Sequence, residues 1–320
     1  MTHASSPLVP NEVPLDLTIR VGLEFIYQTA KVTPIFLLIK PRLDTTQHIE
    51  KEQFTVDPKL SSLEYEDTHG NIVQRLNLPP GRTTIRHDAF VSVPSIPENY
   101  GAVDEPAPVE ELTPELLRYT LPSRYCDSDK LLDFAYKHFG DVPHGLKRVQ
   151  AICDWVHNNV EYRFGTGSPT RSAWETIEQR YGVCRDFAHA AVALSRTFNI
   201  PTRYVTGYVP DVGYLDPGSP MDFHAYMQVY VGHRWHNYDA RFNVPRIGRI
   251  RIACGLDAVD GAFSTVYGAA QLVHFDVWAY QVDPREVDLN DPVDLSKRLD
   301  GTPELRFSAG KTAQVEIGSE

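Results

Sequence analysis

Apolar residues in the first hundred positions recur mostly with a period of two. Leu15–Arg20 alternates leucine and isoleucine with polar neighbours, and Val21–Tyr27 and Ile35–Lys40 are dense in branched and aromatic residues. Ser62–Glu66 and Ile72–Leu76 flank the turn-forming His69-Gly70-Asn71, and Thr84–Val93 continues the pattern. No helical period interrupts these runs, so they predict a small antiparallel sandwich. Pro94 to Pro122 is rich in proline and acidic residues and reads as a linker. From Asp127 the period becomes helical. Leu131, Phe134 and His138 share one face, and Leu146, Val149, Cys153, Val156 and Val160 form the stripe of a second helix. Ser172-x-x-Glu175 is a capping box before a short helix. A further helix begins at Cys184, buries Phe187, Ala191, Leu194 and Phe198, and stops at Asn199-Ile200-Pro201.

Strands then return at Thr202–Val209, Phe223–Val231, Arg234–Asp239 and Leu272–Val282, before a polar tail to Glu320. The pattern predicts an α+β protein: an N-terminal antiparallel β-sandwich followed by helices packed on an antiparallel sheet. The expected limits are a β-rich unit over 1–100, a linker over 101–122, a catalytic-type unit over 123–282 and a C-terminal extension or tail over 283–320.

Composition narrows the function. The 320-residue chain has 42 % apolar and 23 % charged residues, ordinary globular usage, with a net charge of -11. Such an acidic chain repels phosphate backbones and anionic membrane surfaces, so neither nucleic acid nor membrane is expected as a partner. No apolar run approaches the roughly 20 residues that span a bilayer. Met1–Pro14 lacks the basic start and apolar stretch of a secretory signal. Cys126, Cys153, Cys184 and Cys254 are widely spaced, with no C-x-x-C pair, and read as reduced thiols in a cytoplasmic protein. Their starting interpretation is as small buried hydrophobes, and Cys153 fits it within its apolar stripe.

Cys184 differs because it opens a helix, where the dipole and unpaired N–H groups favour the thiolate. A thiol nucleophile also needs a base and an orienting group. If Gly232-His233 is a two-residue turn, Tyr226 opposes Asp239, which places His224 and Asp239 on one face as diagonal neighbours. A carboxylate there would fix the imidazole tautomer; a solvent-exposed ion pair would explain the same two residues without chemistry. His189 lies about 140° round the helix from Cys184. His233-x-x-His236 has no third ligand nearby, and the G-x-S-x-G, G-x-G-x-x-G and Walker motifs are absent, so no metal, nucleotide or other cofactor is expected.

Tyr181-Gly182-Val183-Cys184-Arg185-Asp186-Phe187-Ala188-His189 resembles the nucleophile segment of transglutaminase-like proteins. Asn199-Ile200-Pro201-Thr202-Arg203-Tyr204-Val205-Thr206-Gly207-Tyr208 is similar to the G-I-P-A-R-x-V-x-G-Y stretch that follows it in them. His224-Ala225-Tyr226, Trp235 and Asp239 stand where that family has its H-A-W, its Trp and its Asp. The resemblance spans roughly 125–282 and implies a papain-like, transglutaminase-like core, which makes 123–282 a transglutaminase-like catalytic unit. The N-terminal strands resemble the β domain that precedes this core in a bacterial branch. It implies Cys184 as nucleophile, His224 as general base and Asp239 as orienting carboxylate. The Cys184 backbone N–H would be one oxyanion donor, with Trp174 and Gln179 as candidates for the second. The chain departs from the family in reading Asp239-Ala240-Arg241 where many relatives have Asp-Pro-Thr. It also has no calcium-binding EF-hand loop.

The expected activity is thiol acyl transfer on amide bonds of a peptide or protein substrate. A thioester intermediate would be released by water, as in a cysteine peptidase or amidase, or by an amine, as in a transglutaminase, with hydrolysis favoured. The alternative is a non-catalytic peptide- or protein-binding module with a vestigial triad. The loop Pro210–Pro220, with Asp211, Asp216 and Asp222 around it, would be a solvated connection, a substrate lid or a partner surface.

Overall fold

The computed structural model describes residues 13–98, 104, 106–214 and 221–300. Parts of the N-terminal segment, of the proline-rich linker, of the loop Pro210–Pro220 (Asp216 included) and of the C-terminal tail therefore lie outside the described residues. The architecture is α+β, as the pattern predicts. Six strands come first: β1 (Leu17–Thr29), β2 (Thr33–Leu37), β3 (His48–Asp57), β4 (Leu63–Glu66), β5 (Ile72–Leu78) and β6 (Gly81–Val93). A one-turn helix α1 (Pro114–Leu117) precedes α2 (Leu132–Phe139) and α3 (Leu146–Asn159). Next come β7 (Glu161–Tyr162), α4 (Ala173–Gln179), β8 (Tyr181–Gly182) and α5 (Cys184–Thr197). The chain then forms β9 (Thr202–Tyr208), β10 (His224–Val231), β11 (Arg234–Tyr238) and β12 (Ile250–Gly255). A short α6 (Ala258–Gly261), β13 (Ser264–Val266) and β14 (Ala270–Gln281) complete it.

The two N-terminal sheets are ordered β14-β1-β6-β3 and β13-β2-β5-β4, and a third sheet is β11-β10-β9-β12. Two strands late in the chain thus complete sheets begun at its start. The strand near Leu272–Val282, which sequence order assigns to the second unit, pairs antiparallel with β1 from Ile19↔Gln281 to Thr29↔Ala270. One apolar core joins Ile19, Val21, Leu23 and Phe25 of β1 to Ile35 and Leu37 of β2. It continues into Tyr208, Ile250 and Ile252 of the third sheet. The N-terminal sandwich therefore packs directly on the sheet that carries the candidate site.

A second core lies on the other face of the third sheet. Phe187, Ala190, Ala191 and Leu194 of α5 pack with Val149, Ile152, Cys153 and Val156 of α3 and with Met227 and Val229 of β10. This is the stripe the helical period predicts, and Cys153 sits in it fully buried.

The segment after Val282 packs on the first sheet. Val287 and Leu289 are buried against Phe90, Trp278 and Tyr280 on the outer face of the first sheet. Arg20, fully buried and paired with Asp88 at 2.7 Å, donates to the carbonyl of Asp291 at 2.8 Å. Two apolar side chains in a polar stretch show no periodicity, so the packing is invisible to pattern reading.

Candidate active site

Three segments converge at the N-terminal end of α5. Arg180, in the left-handed region at φ 63°, ends α4 and turns the chain into β8, which pairs in parallel with β7. Val183 is extended, and its N–H donates to Asp186 Oδ2 at 2.9 Å. Asp186 is fully buried and held by Arg171 Nη1 at 3.0 Å. Gly182 makes room for this carboxylate, since a Cβ there would lie 2.6 Å from the Asp186 Cβ. Cys184 consequently occupies the first helical position, where its own N–H has no intrahelical partner. Its side chain is half-buried against Ala188, Tyr204 and Ala225.

The hairpin β10–β11 supplies the other two groups. Its turn is Gly232-His233 with φ of 60° at both residues, the type I′ geometry that suits strand twist. The register, Val231↔Arg234 through Met227↔Tyr238, is the one the sequence predicts. His224 Nε2 donates to Asp239 Oδ2 at 2.7 Å, and the two side chains are 11 % and 2 % exposed. That burial excludes the solvent-exposed ion pair. Cys184 lies close enough to His224 to act on its ring electrostatically, and with Nε2 engaged by Asp239 the free ring nitrogen is Nδ1.

The electrostatics follow from this chain of contacts. Burial by itself would lower the His224 pKa, but the charge and hydrogen bond of Asp239, together with those of Cys184, raise it to about 9. Burial would raise the Asp239 pKa; the His224 charge, their hydrogen bond and Arg249 instead hold it well below the ordinary carboxylate range. Asp239 Oδ1 also accepts the backbone N–H groups of Arg241 at 3.0 Å and Phe242 at 3.2 Å. The Phe242 ring lies 4.9 Å from that of His224 and covers it.

Sequence reading missed the groups behind Asp239. Arg249 on the approach to β12 donates to Asp239 Oδ2 through Nη1 at 3.2 Å and Nη2 at 3.3 Å. On its other side it grips Glu98, with Nε–Oε2 and Nη2–Oε1 both at 2.9 Å. Glu98 also accepts Asn237 Nδ2 at 2.8 Å and so ties the linker to β11. The only local signal was Arg246, Arg249 and Arg251 set among Ile247, Ile250 and Ile252. That pattern reads as a half-exposed strand, yet each arginine is buried and meets a carboxylate from another segment: Asp211, Asp239 with Glu98, and Asp44 respectively.

The remaining candidates are placed as follows. Trp174 packs among the helices, and its backbone N–H donates to Asp127 Oδ1 at 3.0 Å. Gln179 is exposed at the end of α4. Among the described residues neither side chain hydrogen-bonds to Cys184. His189 is fully buried, stacked on Tyr125 with centroids 5.1 Å apart, and its Nε2 accepts the Ala258 N–H. Asp222 is exposed at the entry to β10. No described helix is long and apolar enough to cross a membrane.

Residues 133–240, which contain Cys184, His224 and Asp239, match the family model described as the transglutaminase-like superfamily. A crystal structure of a candidate cysteine protease from Cytophaga hutchinsonii is 33 % identical and covers 83 % of this chain and 91 % of its own, with a TM-score of 0.76. An uncharacterised protein of Mycobacterium leprae is 25 % identical over 249 residues, 75 % of this chain and 88 % of its own. An uncharacterised Mycobacterium tuberculosis protein is 26 % identical over 182 residues, 53 % of this chain and 58 % of its own. A helix-start thiol facing a strand-borne histidine, within a fold shared almost end to end with the Cytophaga protein, places this chain in the transglutaminase-like superfamily, whose members are typically cysteine peptidases or acyltransferases.

Proposed function

We propose that this protein performs thiol acyl transfer on amide bonds of a peptide or protein, with Cys184 as nucleophile, His224 as general base and acid, and Asp239 as orienting carboxylate. The observation that carries the reading is the buried 2.7 Å hydrogen bond between His224 and Asp239 beside the thiol that opens α5. A histidine whose pKa is raised to about 9 suits a base that takes the Cys184 proton and holds it for the leaving nitrogen. The thiolate attacks the amide carbonyl, forming a C–S bond and an oxyanion that the Cys184 backbone N–H at the start of α5 can stabilise. The C–N bond then breaks as the imidazolium gives its proton to the leaving nitrogen. The thioester remains, with His224 neutral. An incoming water loses a proton to His224 as it attacks, and its oxygen completes the carboxylic acid as the thiolate leaves. Asp239 keeps Nε2 protonated throughout and so directs Nδ1 to the reacting atoms.

Water is the preferred acceptor in this reading, because Cys184 is only half-buried and its thioester stays open to solvent. The test is turnover of peptides bearing glutamine and carboxamide groups, with and without a millimolar primary amine, followed by mass spectrometry. The expected product is the acid, released with ammonia or amine, in both conditions. A predominant amine adduct would overturn hydrolysis and retain the thioester. Peptide binding without turnover would favour the vestigial-triad alternative.

A further inference from the structure

Arg241 stands at the point where the chain departs from the Asp-Pro-Thr of its relatives. Its backbone N–H is fixed on Asp239 Oδ1 at 3.0 Å, so its position is set by the candidate triad itself. The side chain leaves that turn and lays its guanidinium over the ring of Tyr162, 3.9 Å from the centroid, and 5.5 Å from the ring of Phe242. Phe242 is the ring that covers His224. Tyr162 is in register with Gly182, two residues before Cys184, and it stays partly open to solvent at 37 %. The cation therefore rests on an aromatic shelf beside both the nucleophile and the base. Tyr162, the Asp239 carboxylate and Cys184 each act on it electrostatically, in line with that placement.

The position is unusual in how little engages its guanidinium. The buried arginines Arg20, Arg171, Arg246, Arg249 and Arg251 each meet a carboxylate, and Arg196 donates to the carbonyls of Leu121, Thr202 and Leu256. Arg241 is half-buried, and among the described residues no hydrogen bond or ion pair engages its guanidinium. Asp239 is already held by His224 and Arg249, and the exposed Asp222 forms no ion pair with Arg241. A guanidinium withdrawn from water, stacked on a ring and left without a carboxylate, presents its donor fork to whatever enters the site.

We propose that Arg241 is a specificity subsite for a carboxylate of the substrate, carried within a residue or two of the attacked amide. The substrate class is thus an acidic peptide, in which an Asp or Glu side chain or a free C-terminal carboxylate meets the Arg241 fork while Cys184 faces the amide. This rests on the reading of Cys184 as nucleophile. A charge-assisted, bidentate contact in a partly desolvated site corresponds to about 10- to 100-fold in affinity.

The test separates the subsite from the chemistry. Peptides matched except for Glu against Gln beside the target amide, and for a free against an amidated C-terminus, are titrated into full-length Cys184→Ala protein by calorimetry. The same set is titrated into Cys184→Ala/Arg241→Gln and Cys184→Ala/Arg241→Lys. The expected result is a 10- to 100-fold preference for the acidic member of one matched pair, collapsing to parity with Arg241→Gln and partly kept with Arg241→Lys. The pair that shows the preference tells a side-chain carboxylate from a terminal one. Equal binding within both pairs, or a preference that survives Arg241→Gln, would overturn the subsite. A preference lost with Arg241→Gln, while the Cys184 protein turns over none of these peptides, would sustain the subsite and count against the proposed chemistry.

Discussion

Cys184→Ala is expected to leave a folded protein with no thioester formation and a rate lowered by roughly 10⁴-fold or more, as removal of a nucleophile does elsewhere. The effect is specific to this thiol. Cys184 is half-buried at the first position of α5, so trading its sulfur for a hydrogen leaves little cavity. Cys153 provides the contrast. It is fully buried in the helical core, and burial, together with the charges of Asp239 and Asp154, pushes its thiol well above the ordinary range, so it is inert. Cys153→Ala should cost about 1–2 kcal/mol of stability from lost packing and leave turnover intact. Measuring turnover and urea midpoints for both variants checks the assignment. Turnover that survives Cys184→Ala would remove it as nucleophile.

Arg249→Met is expected to be the most destabilising single change near the site, by about 3–5 kcal/mol, because it removes the buried cation shared by Asp239 and the part-buried Glu98. Arg249 is itself 2 % exposed and bridges Asp239 to Glu98. Adding Glu98→Gln to Arg249→Met should recover part of the loss by removing one stranded charge. The remainder reports on Asp239. A loss under 1 kcal/mol for Arg249→Met would mean that the network is dispensable. The pair beyond it also sets a pH dependence. His224 is raised from 6.5 to about 9, so its stabilising contribution is complete below about pH 6.5 and is lost as pH rises through about 9. Asp239 is lowered from 3.8, so its contribution is complete above about pH 4 and is lost only as pH falls through its depressed value. Stability from this pair is therefore greatest between about pH 4 and 6.5, and His224→Ala should flatten the alkaline decline.

Local chemistry made much of the site legible in the sequence. A two-residue Gly232-His233 turn allows one register, and that register alone puts His224 beside Asp239. Asn199, at φ 57°, and Pro201 mark the end of α5, just as Ser172 and Glu175 mark the start of α4. What stayed hidden depends on contacts distant along the chain. The partner of β14 is β1, and no local pattern records such a pairing. β3 has mostly exposed side chains in a polar run, His48–Asp57, and is held by the ladder to β6 with only Phe54 and Val56 packed on the core. Glu98 reaches Arg249 from the proline-rich segment, where acidic residues read as solvated linker. Charged residues that are buried because they meet each other look exposed in sequence, and the support behind Asp239 is made of them.

If His224 serves Cys184 as its base, Cys184 reacts faster than an ordinary thiol. The most direct test is intact-mass alkylation of the native protein with iodoacetamide from pH 5 to 9, with peptide mapping. Rapid labelling of Cys184 at pH 6 is expected, while the buried Cys126, Cys153 and Cys254 remain unlabelled. His224→Ala is further expected to move the reactivity to the range of an ordinary thiol, about pH 8.5. Labelling of Cys184 at pH 6 no faster than an ordinary thiol, or only after unfolding, would contradict that role for His224.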